Sequence, residues 1–221
     1  MYIDPLSRRM AHKTGDQGLT TLMYHSVCSG TDPGDWPWAV SYQRFCDQMD
    51  FLRELGCNTI CARDISAGAQ MPPRAVCITF DDGYADNWPA FEALCKRGMR
   101  ASWFVVTADV GGRSRWPGES IPSQPILSGE QLRHMETAGM EICSHTVSHC
   151  RLTKVDDAVL EAELKHSMQD LSDILHREVT TLAYPYGQYD ERVVEATRRA
   201  GYRVALTADP GFGMIADDLL R

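Results

Sequence analysis

Short apolar, β-branched runs alternate with longer amphipathic stretches along most of the chain, and this alternation limits the fold more than any other feature. Strand-like runs lie at residues 19–25, 75–80, 102–107, 140–143, 181–184 and 203–207, with a weaker one at 58–61. Helical spacing covers 42–55, 88–97, 128–138, 156–176 and 190–200. Within 156–176, Val159, Leu160, Leu164, Met168, Leu171 and Leu175 recur at a helical period, and charged residues fill the other face. Four of the helices stop at Gly56, Gly98, Gly139 and Gly201, the residue type that most readily closes a helix. Ser128 followed by Gln131 fits a capping box. A β-α-β-α order implies parallel strands joined by crossover helices. About seven strands in a chain of 221 residues predict a single α/β domain of TIM-like barrel type, closed or nearly so. Residues 28–38 and 111–125 read as loops.

Hydrophobic residues make up 43% of the chain, enough to bury a core without staples. A formal charge of −8 argues against nucleic acid as the main partner, because phosphate binding needs a basic surface. Of the eight cysteines, Cys77 and Cys143 fall in strand-like runs and Cys95 on a helical pattern, so all three read as small buried hydrophobes. No CxxC pair occurs, and reduced thiols are expected. Residues 1–18 contain no apolar signal-type stretch, and no run is long enough to span a membrane. The expectation is a cytoplasmic protein whose residues 1–18 form an extension and whose residues 19–221 form the domain. Nothing in the sequence bears on oligomeric state.

In a parallel barrel, chemistry sits in the loops after the carboxyl ends of the strands, and four polar motifs fall there. Residues 79–84 read Thr-Phe-Asp-Asp-Gly-Tyr. Two adjacent carboxylates repel, and burying both is costly unless a cation offsets them. One could then ligate a divalent metal while the other stays free as a general base. Asp-Asp-Gly is also ordinary turn chemistry. Residues 144–149 read Ser-His-Thr-Val-Ser-His; His145 and His149 share a face if the segment is helical, and imidazole is a preferred zinc ligand. Two histidines with Asp82 leave a coordination position open, which suits a catalytic metal. Tyr184, Pro185, Tyr186 and Gly187 form a rigid turn that could aim a backbone N–H and an aromatic ring at a ligand. His25, in Tyr-His-Ser after the first strand, is either a hydrogen-bonded core residue or a member of the site.

In this order the four motifs resemble the polysaccharide deacetylase family, also called the NodB-homology or carbohydrate esterase family 4 group, and most of all its poly-N-acetylglucosamine deacetylase branch. The resemblance runs from about residue 19 to residue 211. It implies a distorted (β/α)7 barrel and a hydrolase that removes N-acetyl groups from an N-acetylhexosamine polysaccharide or a lipid-linked or nucleotide-linked precursor. It implies Asp81 as general base, and Asp82, His145 and His149 as ligands of a divalent metal, zinc first, with cobalt or nickel as alternatives. It further implies that Tyr184, Pro185, Tyr186 and Gly187 line the substrate groove, with the Tyr186 N–H holding the oxyanion. Two departures stand out. Ala183 occupies the place where many members carry an arginine that orients the base. No Leu-x-His motif follows His176, so the general acid is expected to be His25 instead. Trp36, Trp38, Trp88, Trp103 and Trp116 are candidate sugar-stacking rings, Trp103 being expected in the core. An O-acetyl esterase and a non-catalytic carbohydrate-binding barrel are the alternative readings.

Overall fold

The computed structural model describes residues 18–30, 36–65, 70–116, 123–208 and 219–220. Among them the strands are β1 (Leu19–Tyr24), β2 (Ser26–Cys28), β3 (Ala39–Ser41), β4 (Asn58–Ile60), β5 (Ala75–Phe80), β6 (Ser102–Val105), β7 (Glu141–Ser144), β8 (Thr181–Ala183) and β9 (Val204–Leu206). The α-helices are α1 (Tyr42–Glu54), α2 (Trp88–Lys96), α3 (Gly129–Thr137), α4 (Asp157–Leu175) and α5 (Glu191–Ala200). Every strand and helix expected from the alternation is present, with ends within two residues of the expected ones. The caps explain the agreement. Ser41, Ser128, Asp156 and Asp190 each accept a backbone N–H from the first helical turn, and Ser128 with Gln131 closes the expected capping box. Gly56, Gly98, Gly139 and Gly201 all take positive φ at the helix ends.

Seven strands form one parallel sheet in the order β1-β5-β6-β7-β8-β9, with β4 beside the first half of β5. Among the described residues no ladder joins β9 to β1, and both strands line one cavity. The fold is therefore a distorted (β/α)7 barrel, open along one seam. β2 and β3 form a separate parallel pair that the sequence reading did not anticipate. Three residues are too few for a strand period to show, and serine, glycine and proline surround both strands.

Strand β5 is buried along its whole length, so its two faces serve two cores. Val76, Ile78 and Phe80 face α1, α2 and α3, packing with Phe45, Met49, Phe91, Leu94, Leu132 and Met135. Phe80 stacks on Trp103, which is fully buried as expected. Ala75 and Cys77 face inward with Phe104, Cys143 and Ala183. A second outer core joins Leu182 to α4 and α5. Cys77 and Cys143 are buried, but Cys95 is exposed. Helix α2 buries Ala90, Phe91, Ala93 and Leu94, which leaves Cys95 on its outer face. Glu163 also departs from expectation: it sits on the charged pattern of α4 yet is buried. No described helix is long and apolar enough to cross a membrane. Residues 1–17, together with 31–35 and 117–122 of the expected loops, lie outside the described residues.

Candidate active site and metal centre

Side chains alternate faces along a strand, and on β5 and β7 the inner face carries the odd-numbered residues. On β5 those are Ala75, Cys77 and Thr79, and the next is Asp81. On β7 they are Glu141 and Cys143, and the next is His145. The period thus delivers an aspartate and a histidine to the same end of the barrel. At the other end, buried Glu141 accepts hydrogen bonds from Ser102 Oγ (2.7 Å), Thr181 Oγ1 (2.8 Å) and the Arg63 N–H (2.9 Å) and closes the interior.

Asp81 N–H donates to the Tyr24 carbonyl (2.9 Å), which continues the β1–β5 ladder past the end of the strands. The chain then reverses. Gly83 N–H donates to the Asp81 carbonyl (2.9 Å), closing a three-residue turn around Asp82, whose φ is 72°. A γ-turn of this sign is rare and strained for a residue with a side chain. Gly83 follows at φ 79°, and a Cβ there would lie 3.0 Å from Val105 Cγ1. Strain of this kind persists only where the surroundings over-determine it, and it clusters at functional sites.

Burial first, and the neighbouring Asp82 charge second, push the Asp81 carboxyl well above the usual carboxylate range. Among the described residues no cation pairs with it, so no group stands in for the arginine that Ala183 replaces. Burial raises Asp82 to about 7, against the pull of a hydrogen bond from the Tyr84 hydroxyl.

The segment 145–149 is not helical, which corrects the geometric basis on which His145 and His149 were expected to meet. Left-handed φ values at Thr146 (67°) and His149 (58°) fold the segment back instead. The two imidazole rings end up 4.8 Å apart. His145 Nδ1 lies 2.9 Å from the Ala183 carbonyl, which fixes the Nδ1–H tautomer and leaves Nε2 as a lone-pair donor. Burial lowers His145 to about 4, and burial followed by the nearby His145 charge lowers His149 still further. Both rings are therefore neutral at neutral pH. Their contacts with Asp82 Oδ1, 3.6 Å from His145 Nε2 and 3.4 Å from His149 Nε2, are neither ion pairs nor hydrogen bonds.

These three atoms fit a metal. One ligand atom from each of Asp82, His145 and His149 lies within 4.8 Å of the others, and all three residues are buried. Asp82 Oδ1 has no hydrogen-bond partner. Tetrahedral zinc with bonds near 2.0–2.1 Å holds its ligand atoms about 3.3 Å apart, close to the two distances found.

A cavity of about 390 Å³ opens above this cluster, lined among others by Asp81, His25, Trp36, Trp38, Trp116 and Tyr186. Trp88 does not line it. Trp38 is half exposed and packs against His25 with ring centroids 4.9 Å apart and the planes tilted by 37°. Burial lowers His25 to about 4. Asn87 positions the backbone on either side of that ring: its Nδ2 donates to the His25 carbonyl (2.7 Å) and its Oδ1 accepts the Val27 N–H (3.0 Å).

Of the turn 184–187, Tyr184, Tyr186 and Gly187 line the cavity, while Pro185 is buried and does not. The Tyr184 hydroxyl is committed to the Leu220 carbonyl (2.8 Å) and its ring stacks on Tyr189, so only part of this residue faces the opening. Tyr186 has φ 61° and its ring packs 4.6 Å from His149. The turn closes through Gly187 N–H and Gln188 N–H, and neither bond uses the Tyr186 N–H. A Cβ on Gly187 would come within 2.5 Å of Ala208 Cβ and 2.7 Å of Ala208 N, so glycine is required.

Sequence reasoning missed Met23 and Thr207 in the cavity wall and the hydrogen bond that ties Tyr84 to Asp82. The inner-face alternation of β1 could have found Met23.

Residues 68–205 match the sequence profile of the family described as polysaccharide deacetylase. The chain is 31% identical over 198 residues to YxkH of Bacillus subtilis (strain 168), which is named for that family, across 87% of this chain and 65% of that protein. It is 23% identical over 185 residues to the poly-β-1,6-N-acetyl-D-glucosamine N-deacetylase of Staphylococcus aureus (strain MSSA476), across 78% of this chain and 62% of that one. It thus spans under two thirds of the length of both relatives. Among solved structures, the Streptococcus pyogenes deacetylase PplD in complex with acetate superposes with a TM-score of 0.78 at 25% identity, covering 92% of this chain and 89% of that one.

Proposed function

Because the chain belongs to the polysaccharide deacetylase family, we propose that it is a metal-dependent hydrolase that removes N-acetyl groups from an N-acetylhexosamine glycan or its precursor. One observation carries this reading: a partnerless Asp82 Oδ1 converges with Nε2 of His145 (3.6 Å) and His149 (3.4 Å), and a second, unpaired carboxylate lines the same cavity. Asp82, His145 and His149 would hold a divalent cation, zinc before cobalt or nickel, which when bound activates water and polarises the acetyl carbonyl.

This chain's own residues do the rest. Once Asp82 is neutralised as a ligand, the charge that raises Asp81 second after burial is removed, and a cation beside Asp81 would favour its ionised form, the general base. Asp81 takes a proton from the attacking water. The Tyr186 N–H, unused by its own turn, is offered to the developing oxyanion. The amide C–N bond then breaks, and the proton held by Asp81 must reach the leaving nitrogen to give acetate and a free amine. Asp81 can deliver that proton directly; His25, which lines the same cavity, is the candidate general acid in its protonated form, a form that burial disfavours. The half-exposed rings of Trp38 and Tyr186 offer flat apolar faces to a sugar.

The relative named for poly-β-1,6-N-acetylglucosamine makes its oligomers the first substrate to try. Metal analysis coupled to acetate release tests the reading. One zinc per chain and acetate from N-acetylated sugars support it. Acetate from O-acetylated glycans alone would make the protein an esterase. Glycan affinity that survives chelation, with no acetate released, would make it a binding barrel.

A further inference from the structure

The loop that carries both histidines lacks the backbone hydrogen bonds a helix would give it, and something else must satisfy its half-buried N–H groups. That group is Glu163 of α4. Its Oε2 accepts the Val147 N–H and the Ser148 N–H, each at 2.9 Å, and its Oε1 accepts the Ser148 hydroxyl at 2.6 Å. The carboxylate is buried, and all three bonds fall on the two residues between Thr146 and His149, the left-handed positions that bend the loop. Successive N–H groups beside left-handed residues form a concave anion site, and here a side chain of the protein fills it. The same helix grips the start of the loop. Ser144 Oγ donates to Ser167 Oγ (2.9 Å) and accepts the Thr146 N–H (3.1 Å). Thr146 Oγ1 in turn accepts the His149 N–H (3.2 Å).

We propose that Glu163 is a positioning residue for the metal centre: it holds the 145–149 loop in the bent form that brings His149 Nε2 to Asp82. The inference rests on the metal-centre reading above. Without the carboxylate, the Val147 and Ser148 N–H groups lose their acceptor, the bend between the two left-handed residues keeps only the Ser144 and Thr146 hydroxyl bonds, and the loop can relax toward backbone angles that carry His149 away. Gln at this position can still accept both N–H groups through its amide oxygen, whereas Ala can accept none. Partner groups of this kind, one step removed from the metal, typically change metal affinity by about 10- to 100-fold.

The test is zinc affinity by competition with a chromophoric chelator for the wild type, Glu163→Ala, Glu163→Gln and Leu171→Ala, with thermal melts of the metal-free proteins alongside. Leu171 lies on the same helix and is fully buried in the core, so its truncation lowers stability without touching the loop. The proposal expects Glu163→Ala to weaken zinc binding by about 10- to 100-fold, Glu163→Gln to fall closer to wild type, and Leu171→Ala to melt lower yet bind zinc as wild type does. Glu163→Ala binding within twofold of wild type would overturn it. So would Leu171→Ala weakening zinc as much as Glu163→Ala, because that is a loss of stability and not of positioning. A wild-type protein that takes up no zinc overturns the metal-centre reading itself, and this inference with it.

Discussion

Asp82→Asn in the metal-free protein should raise stability at pH 8 and leave it unchanged at pH 4. Asp82 is buried, and its pKa rises from 3.8 to about 7 on folding, mainly through desolvation. Below about pH 4 the carboxyl is protonated in both folded and unfolded chains and adds no cost. Between pH 4 and 7 the unfolded chain releases its proton while the folded chain keeps it, so stability falls as pH rises. Above pH 7 the whole cost is present, and the rise corresponds to about 4 kcal/mol. Relief of the charge on Asp81 adds in the same direction. Asn fits the site, because Tyr84 can still donate to its oxygen and its amide can donate toward the neutral His145 and His149 Nε2 atoms. At about 2–4 °C per kcal/mol for a chain of this size, the melting temperature should rise by about 10 °C at pH 8. Chelated wild-type and D82N proteins, melted at pH 4 and pH 8, measure this directly. Zinc should narrow the gap: it stabilises only the wild type, by about 2.7 kcal/mol at a hundredfold excess over its Kd. A D82N protein no more stable than wild type at pH 8, or equally stabilised by zinc, would refute the reasoning.

Asp81→Asn should keep one zinc per chain and lose about 10²- to 10⁴-fold in turnover, read from acetate release and metal analysis of the same sample. His149→Ala should lose the zinc itself on dialysis while melting within a few degrees of the metal-free wild type. Gly187→Ala should cost at least about 1–2 kcal/mol in a denaturant titration and depress kcat as well, since its Cβ would meet Ala208 and strain a left-handed position. Zinc affinity should fall about tenfold per pH unit below pH 7, as Asp82 takes up the proton that zinc must displace; isothermal titration at three pH values measures the slope.

The helices and the main sheet were legible because their signals are local and redundant. Asp156 and Asp190 cap helices that apolar periodicity already marks, and Gly201 closes the second of them. The site was legible because a parallel barrel collects strand-end residues at one face, so Asp81 and His145 needed no distance information to be paired. What escaped notice depends on burial and on backbone angles. Glu163 sits on the charged pattern of an amphipathic helix, and only the fold shows that a loop with unsatisfied N–H groups lies against it. His145 and His149 meet through left-handed φ at Thr146 and His149 itself, which a spacing of four does not reveal. Cys95 follows Leu94 on α2, and a one-residue step of about 100° separates core from solvent there. Ala183 was read through the side chain it lacks, yet its carbonyl sets the tautomer of His145.

A zinc-edge anomalous diffraction measurement on crystals of the zinc-loaded protein tests the central claim most directly. The predicted result is a single ion bound through Asp82, His145 Nε2 and His149 Nε2 at about 2.0–2.1 Å, with the Asp81 carboxylate nearby and unligated. An ion held elsewhere, or a loaded site in which Asp82 turns away from the two histidines, would contradict it.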